Sequence, residues 1–143
     1  MIKIFLTVRN RLSITAKCIA ALKRHSVLPH QIYVYENLSS YKEEEHFMFF
    51  CKLYKKGLIS KVVFNTKDST FNAFSKAVAS NEFGYLHEMD PKKDTYEYLV
   101  FLDNDIIVTP GWDEVLSRAW KDVSKYALQN VKVIGQEPGG IKS

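Results

Sequence analysis

Tyr98-Leu-Val-Phe-Leu-Asp-Asn-Asp-Ile-Ile-Val-Thr-Pro-Gly-Trp112 is the stretch whose reading decides the rest of the chain. The unbroken apolar and aromatic run from Tyr98 to Leu102 predicts a strand buried on both faces. Asp103, Asn104 and Asp105 follow at once, then a second apolar run from Ile106 to Val108 and the breaker Pro110-Gly111. Two carboxylates just past a buried strand are costly unless compensated, because a desolvated, unpaired carboxylate is strongly disfavoured. A hard divalent cation compensates them well, since its preferred ligands are carboxylate and water oxygens. Asp and Asn are also ordinary turn residues, so the triplet gains weight only from its surroundings. Open α/β sheets place ligand sites just outside the carboxyl ends of their strands, which is where this triplet falls.

The remainder of the chain supplies such a sheet. Ile2 to Val8 predicts a buried strand, broken by Arg9-Asn10-Arg11, and Ser13 is expected to cap a helix from Ile14 to about His25. Pro29 stops that helix, and Gln31 to Glu36 makes a second strand. Ser40 with Glu43 reads as a capping box opening a helix to about Lys56. Phe47, Met48, Phe50, Cys51 and Tyr54 are its expected apolar stripe, and Gly57 its terminator. Val62 to Asn65 is a third strand, Thr70 to about Asn81 a third helix, and residues 82 to 97 a long surface loop. After the central stretch, Trp112 to about Tyr126 predicts a helix with Val115, Leu116, Ala119, Trp120 and Val123 inward. Asp113 and Glu114 suit its positive N-terminal end. Val131 to Gly135 reads as a last strand, and the tail from Glu137 has no obvious partner. Strand-helix alternation of this regularity implies an α/β fold, a mostly parallel sheet with helices on both faces.

At 143 residues the chain is expected to be one domain, with 46% hydrophobic and 25% charged residues as in an ordinary soluble globule. The formal charge is 20 − 16 = +4. Lys3, Arg9, Arg11, Lys17, Lys23 and Arg24 crowd the first 35 residues, which hold no acid, so a phosphate group or an anionic membrane face suits them. They do not form the aromatic-interleaved basic stripe of a nucleic-acid binder, and no nucleic-acid partner is expected. Cys18 and Cys51, both in expected helices, read as buried free thiols, and zinc spacing is absent. No segment reaches the length of a membrane span and the start lacks a signal-peptide core, so a cytoplasmic protein is expected.

Polar residues gather at the carboxyl end of every expected strand. These are Thr7, Arg9 and Asn10; Glu36, Asn37 and Ser39; Asn65, Lys67 and Asp68; and Asp103 with Asp105. Around a cation they would suit a nucleoside diphosphate, the amides and acids reading base and ribose. A phosphoacceptor signalling domain would need an Asp where the third strand ends in Asn65. A nucleotidyltransferase would need glycines where the chain has Arg9-Asn10-Arg11.

Here the sequence resembles the nucleotide-sugar-dependent glycosyltransferases of the GT-A fold, family 2. Thr7-Val-Arg-Asn10-Arg11 looks like the family's Thr-x-x-Asn-Arg, and Val34-Tyr-Glu36-Asn37-Leu-Ser39 like its Val-Val-Asp-Asn-Gly-Ser. Asn65 with Asn72 and Ala77 is similar to its Asn-x-Gly … Asn-x-Gly-x-x-Ala helix. Phe101-Leu-Asp103-Asn-Asp105 with Pro110-Gly-Trp112 is similar to its Phe-Leu-Asp-x-Asp … Pro-Gly-Trp. The resemblance implies that Thr7 and Asn10 line the nucleotide pocket, Glu36 contacts the base, Asn72 supports the wall and Asp103 faces the ribose. It implies that Asp105, with Asp103, holds Mn²⁺ or Mg²⁺; Arg9 and Asn37, at the same strand ends, complete the expected nucleotide-binding set. The implied activity is inverting transfer from a nucleotide sugar, a UDP-sugar above all, to a carbohydrate or lipid-linked acceptor. Three departures stand out: Glu36 is longer than the usual Asp, Leu38 and Phe74 replace glycines, and the loop over 82–97 is long. The family's catalytic base lies beyond the strand expected at Val131. The chain therefore reads as the N-terminal domain of a longer enzyme, or as a short relative that binds nucleotide without catalysis.

Overall fold

Ile4, Leu6 and Val8 are fully buried on one side of the first strand, while Phe5 and Thr7 are buried on the other. That alternation fixes the layer order of the molecule. The computed structural model describes residues 2–37, 42–65, 98–126, 135–137 and 140–142. The helix expected over 70–81, the loop over 82–97, and Ser39, Ser40, Lys67, Asp68 and Asn72 lie outside these residues.

Strands β1 (Ile2–Val8), β2 (His30–Asn37), β3 (Lys61–Asn65) and β4 (Tyr98–Asp103) form a parallel sheet in the order β3-β2-β1-β4. Helix α1 (Leu12–His25) connects β1 to β2, α2 (Glu43–Lys55) connects β2 to β3, and α3 (Trp112–Tyr126) follows β4. The core gathers Ile4, Leu6 and Val8 of β1 with Ile32 and Val34 of β2, Cys18, Ile19 and Leu22 of α1, and Phe50 of α2. Trp112 and Trp120 of α3 pack against the same cluster, as do Val100 and Leu102. Each fully buried aliphatic side chain contributes about 1.5–3 kcal/mol. On the opposite side Phe5 stacks on Tyr33 and Phe101, with ring centroids 5.5 and 5.3 Å apart. The α/β reading with a parallel sheet flanked by helices holds.

Several local expectations are corrected. Ser13 does not cap α1: the helix begins at Leu12, its N-cap is Arg11, and no side chain caps it. The reason is the backbone of Asn10 and Arg11, whose φ of 55° and 52° turn the chain two residues earlier than the cap pattern implied. Glu43 is likewise the first residue of α2, behind Lys42 at φ 53°, so it cannot stand three residues into a capping box. The stripe assigned to α2 holds only in part. Phe50 is buried as expected, but Phe47, Met48 and Tyr54 are 49%, 63% and 55% exposed, while His46 is buried and Phe49 and Leu53 join the core. Strand β4 is not buried on both faces, since Phe101 is 39% exposed at the outer strand of the described sheet. Val115 of α3 is exposed to the same degree, and Cys51 is only half buried. The strand expected at Val131 is described from Gly135 alone. There β5 (Gly135–Glu137) pairs antiparallel with β6 (Gly140–Lys142), giving the tail its partner.

Candidate functional site

β1 is paired with β2 on one side and β4 on the other, so the chain reverses its direction of travel across the sheet between β1 and β4. In parallel sheets that crevice at the strands' carboxyl ends is the usual ligand position. Thr7 and Asp103 flank it directly. They are register partners, and the Thr7 hydroxyl donates to Asp103 Oδ1 at 3.4 Å. Thr7 is 1% exposed and Asp103 half buried.

The middle residue of the Asp-Asn-Asp triplet, expected only as a turn residue, joins the two loops. Asn104 is 5% exposed, and its Nδ2 donates to the Asn10 carbonyl at 3.2 Å and to Thr15 Oγ1 at 3.0 Å. Thr15 in turn donates to the Arg11 carbonyl at 3.1 Å. Left-handed backbone at a non-glycine residue costs about 1 kcal/mol or more and persists only where surroundings enforce it. Here the Asn104–Thr15 network enforces it at Asn10 and Arg11. Its only sequence signal was an amide between two acids.

Asp105 lies outside this network, its side chain 50% exposed, with Oδ2 at 3.5 Å from Arg11 Nη1. Arg9 and Asn10 are half buried at the end of β1. Beyond Asp105 the chain opens a hollow of about 190 Å³ against α3, lined by Leu102, Ile107, Val108, Trp112 and Leu116 among others. None of its lining residues titrates, so it offers contact and no chemistry.

Glu36 is not brought to this group. It continues the row of Ile32 and Val34, opposite Val8 and Phe64, on the helix-bearing side of the sheet. There it is wholly buried, 3.4 Å from His46 Nδ1, and neither of its carboxyl oxygens has a hydrogen-bond partner. Burial pushes its pKa up to about 8 and lowers that of His46, where Glu45 and Lys42 act in opposite senses. Near neutral pH both groups are therefore uncharged, and the contact is not a salt bridge. Asn37, one residue on, alternates to the Thr7 and Asp103 side and is 3% exposed. Thr7 and Asp103 thus flank the crevice, Asn37 lies on the same face of the sheet at the end of the neighbouring β2, and Asp105 stands at the open edge.

Asp113, expected only to suit the positive end of its helix, also bonds backbone outside that helix. It is completely buried; Oδ2 accepts the Val27 and Leu28 N–H groups at 2.8 and 2.7 Å, and Oδ1 accepts that of Glu114 at 3.1 Å. Burial pushes the Cys18 thiol up to about 12, with the Asp105 charge adding to it, so this cysteine stays an unreactive core residue.

Among the described residues no group of three His, Cys, Asp or Glu side chains converges as a metal cage. A smaller donor set suffices for Mg²⁺ or Mn²⁺ bound with a diphosphate, because such ions keep several waters and take one or two carboxylates plus phosphate oxygens. Asp105 fits that role by its accessibility and by already facing a cationic group, the Arg11 guanidinium.

The arrangement defines a Rossmann-like α/β fold. Among solved structures the chain is similar to S. aureus TarS, with a TM-score of 0.57, 13% sequence identity, and coverage of 87% of this chain and 20% of that one. TarS 1-349 in complex with UDP-GlcNAc matches with the same score and identity over 87% and 31%. A further structure of TarS 1-349 matches over 94% and 38%. At 13% identity this likeness shows the fold, and the chain spans 20% to 38% of the length of those chains. No model of a known protein family and no curated protein matches the sequence. No helix among the described residues is long and apolar enough to cross a membrane.

Proposed function

We propose that this chain is the nucleotide-sugar-binding part of a family 2-like glycosyltransferase. It would hold a nucleoside diphosphate sugar, a UDP-sugar by preference, for inverting transfer to the hydroxyl of a carbohydrate or lipid-linked acceptor. The observation that carries the reading is the Thr7–Asp103 contact at the β1–β4 crevice, with Asp105 on its accessible edge. The fold likeness to TarS, which has been crystallised with UDP-GlcNAc, supports it.

Asp105, with Asp103, would hold Mn²⁺ or Mg²⁺. When bound, such an ion offsets charge on the departing diphosphate. Thr7 orients Asp103 toward the ribose by its hydroxyl contact. Asn37, an amide with both donor and acceptor, takes the base-facing role that the family resemblance gave to Glu36. The test is calorimetric titration with UDP. Binding with Mn²⁺ should weaken at least tenfold in EDTA, and Asp105→Asn should reproduce the EDTA result without lowering thermal stability. Equal affinity with and without metal would remove the role given to Asp105.

A second reading, nucleotide binding without transfer, is favoured by the commitment of Asp113 to backbone hydrogen bonds. General-base catalysis requires a carboxylate within hydrogen-bond reach of the acceptor hydroxyl and contributes roughly 10²–10⁴-fold. Incubation with UDP-sugars, Mn²⁺ and a panel of sugar acceptors separates the two: acceptor-dependent product supports transfer, and donor binding without product supports the binding module.

A further inference from the structure

The Arg11–Asp105 contact joins two exposed side chains across 94 residues of sequence, at 58% and 50% side-chain exposure. An ordinary surface pair of this kind is worth little, because both side chains lose freedom and water screens the attraction. This one differs in how its backbone is held. Asn104, the residue before Asp105, is buried and donates to the carbonyl of Asn10, the residue before Arg11. The same amide reaches Thr15, whose hydroxyl is bonded to the Arg11 carbonyl. Arg11 itself sits at φ 52°, a conformation that arginine adopts only when the surroundings impose it. The two loops are thus stapled one residue before each partner, and the staple aims guanidinium and carboxylate at each other.

The geometry points to Arg11 as the ligand-free occupant of the cation's place: Asp105 exchanges Arg11 for a divalent cation when the donor arrives, and Arg11 turns to the diphosphate oxygens. This rests on the nucleotide-sugar reading above and adds a residue and an order of exchange to it. A guanidinium and a divalent ion at one carboxylate repel each other, so the two compete for it. The diphosphate enters with the negative charge that the released guanidinium needs, and arginine's planar fork matches phosphate oxygens. Charge at the site stays near balance in both states. Without Arg11 the bare carboxylate would attract metal with no donor present.

Arg11 therefore has opposite effects on two measurable affinities. Mn²⁺ alone is titrated by electron paramagnetic resonance, and UDP with saturating Mn²⁺ by calorimetry, in the wild type, Arg11→Gln and Arg11→Gly. The glycine variant accepts the positive φ without strain and guards against a folding defect in the other. Both variants should bind Mn²⁺ alone roughly two- to five-fold more tightly, the range expected for removing an exposed competing charge. Both should bind UDP with Mn²⁺ more weakly by a similar factor. Arg11→Lys, keeping the charge but not the fork, should resemble the wild type for Mn²⁺ alone and fall between for UDP. If the two affinities move in the same direction, or if Mn²⁺ alone is indifferent to Arg11, the exchange is wrong even where the wild type binds UDP with metal. If the wild type binds no UDP under any condition, the nucleotide-sugar reading itself falls.

Discussion

Glu36, next to last in β2, has its carboxyl wholly enclosed, neither oxygen hydrogen-bonded, beside a histidine whose side chain is 5% exposed. Such a group survives burial by staying protonated, and that ties stability to pH. Its native pKa of about 8 lies above the ordinary 4.5, so between those values the folded chain keeps a proton that the unfolded chain has released. Stability from this residue is complete below about 4.5 and is lost progressively as pH rises toward 8, with a limiting slope of about 1.4 kcal/mol per pH unit. His46 has the opposite sign. Its native pKa is lowered, so it favours the fold as pH rises toward the ordinary 6.5, and then falls silent. Between pH 6.5 and 8 Glu36 acts without that opposition, and the urea midpoint of the wild type should fall across this interval. Glu36→Gln, which imitates the protonated acid, should flatten that decline and gain on the wild type as pH rises. A wild-type midpoint independent of pH there would mean that Glu36 ionises normally.

Asp113 shows how one side chain joins elements. Placed at the start of α3, it accepts two N–H groups from the turn between α1 and β2, while Trp112 Nε1 donates to Ser26 Oγ at 3.0 Å and the Gly111 N–H to the His25 carbonyl at 3.2 Å. Asp113→Ala strands two N–H groups and should cost about 3 kcal/mol or more in urea unfolding, since each bond to a charged acceptor contributes about 1.5–3 kcal/mol. Asp113→Asn keeps one acceptor oxygen and should cost less. Glu114→Ala, on an exposed side chain, should cost next to nothing. Equal losses for Asp113→Ala and Glu114→Ala would leave only a helix-dipole role for both. The C-terminal limit of α2 was legible in the sequence. Gly57 ends α2 as expected, at φ 72°, with its N–H on the Tyr54 carbonyl and that of Leu58 on the Leu53 carbonyl. The inward face of α2 was not legible. Its period is carried by His46, Phe49, Phe50 and Leu53, and a buried histidine counts as polar until Glu36 is seen opposite it. The left-handed backbone at Arg11 was equally hidden, because Asn104, far along the chain, helps to hold it through Asn10 and Thr15.

Across the whole molecule, strand order explains why residues nearly a hundred positions apart share one crevice. β4 inserts beside β1, not beyond β3, so Thr7 meets Asp103 and Arg11 meets Asp105. That Thr7, Asn10, Asn37, Asp103 and Asp105 gather at the carboxyl ends of the strands was readable, because polar residues after buried strands converge in any parallel sheet. The side of the sheet that each one faces was not, since a one-residue shift along a strand reverses it, and Glu36 faces away from Thr7 and Asp103 for that reason. The central claim is that Asp105 marks a metal site completed by a nucleoside diphosphate. Paramagnetic broadening of the backbone amide signals by Mn²⁺ tests it most directly. With UDP present, substoichiometric Mn²⁺ should bleach Arg11, Asn104 and Asp105 first, and Asp105→Asn should abolish the effect. Bleaching that UDP does not alter, or that centres on the exposed Glu43, Glu44 and Glu45 of α2, would contradict the account.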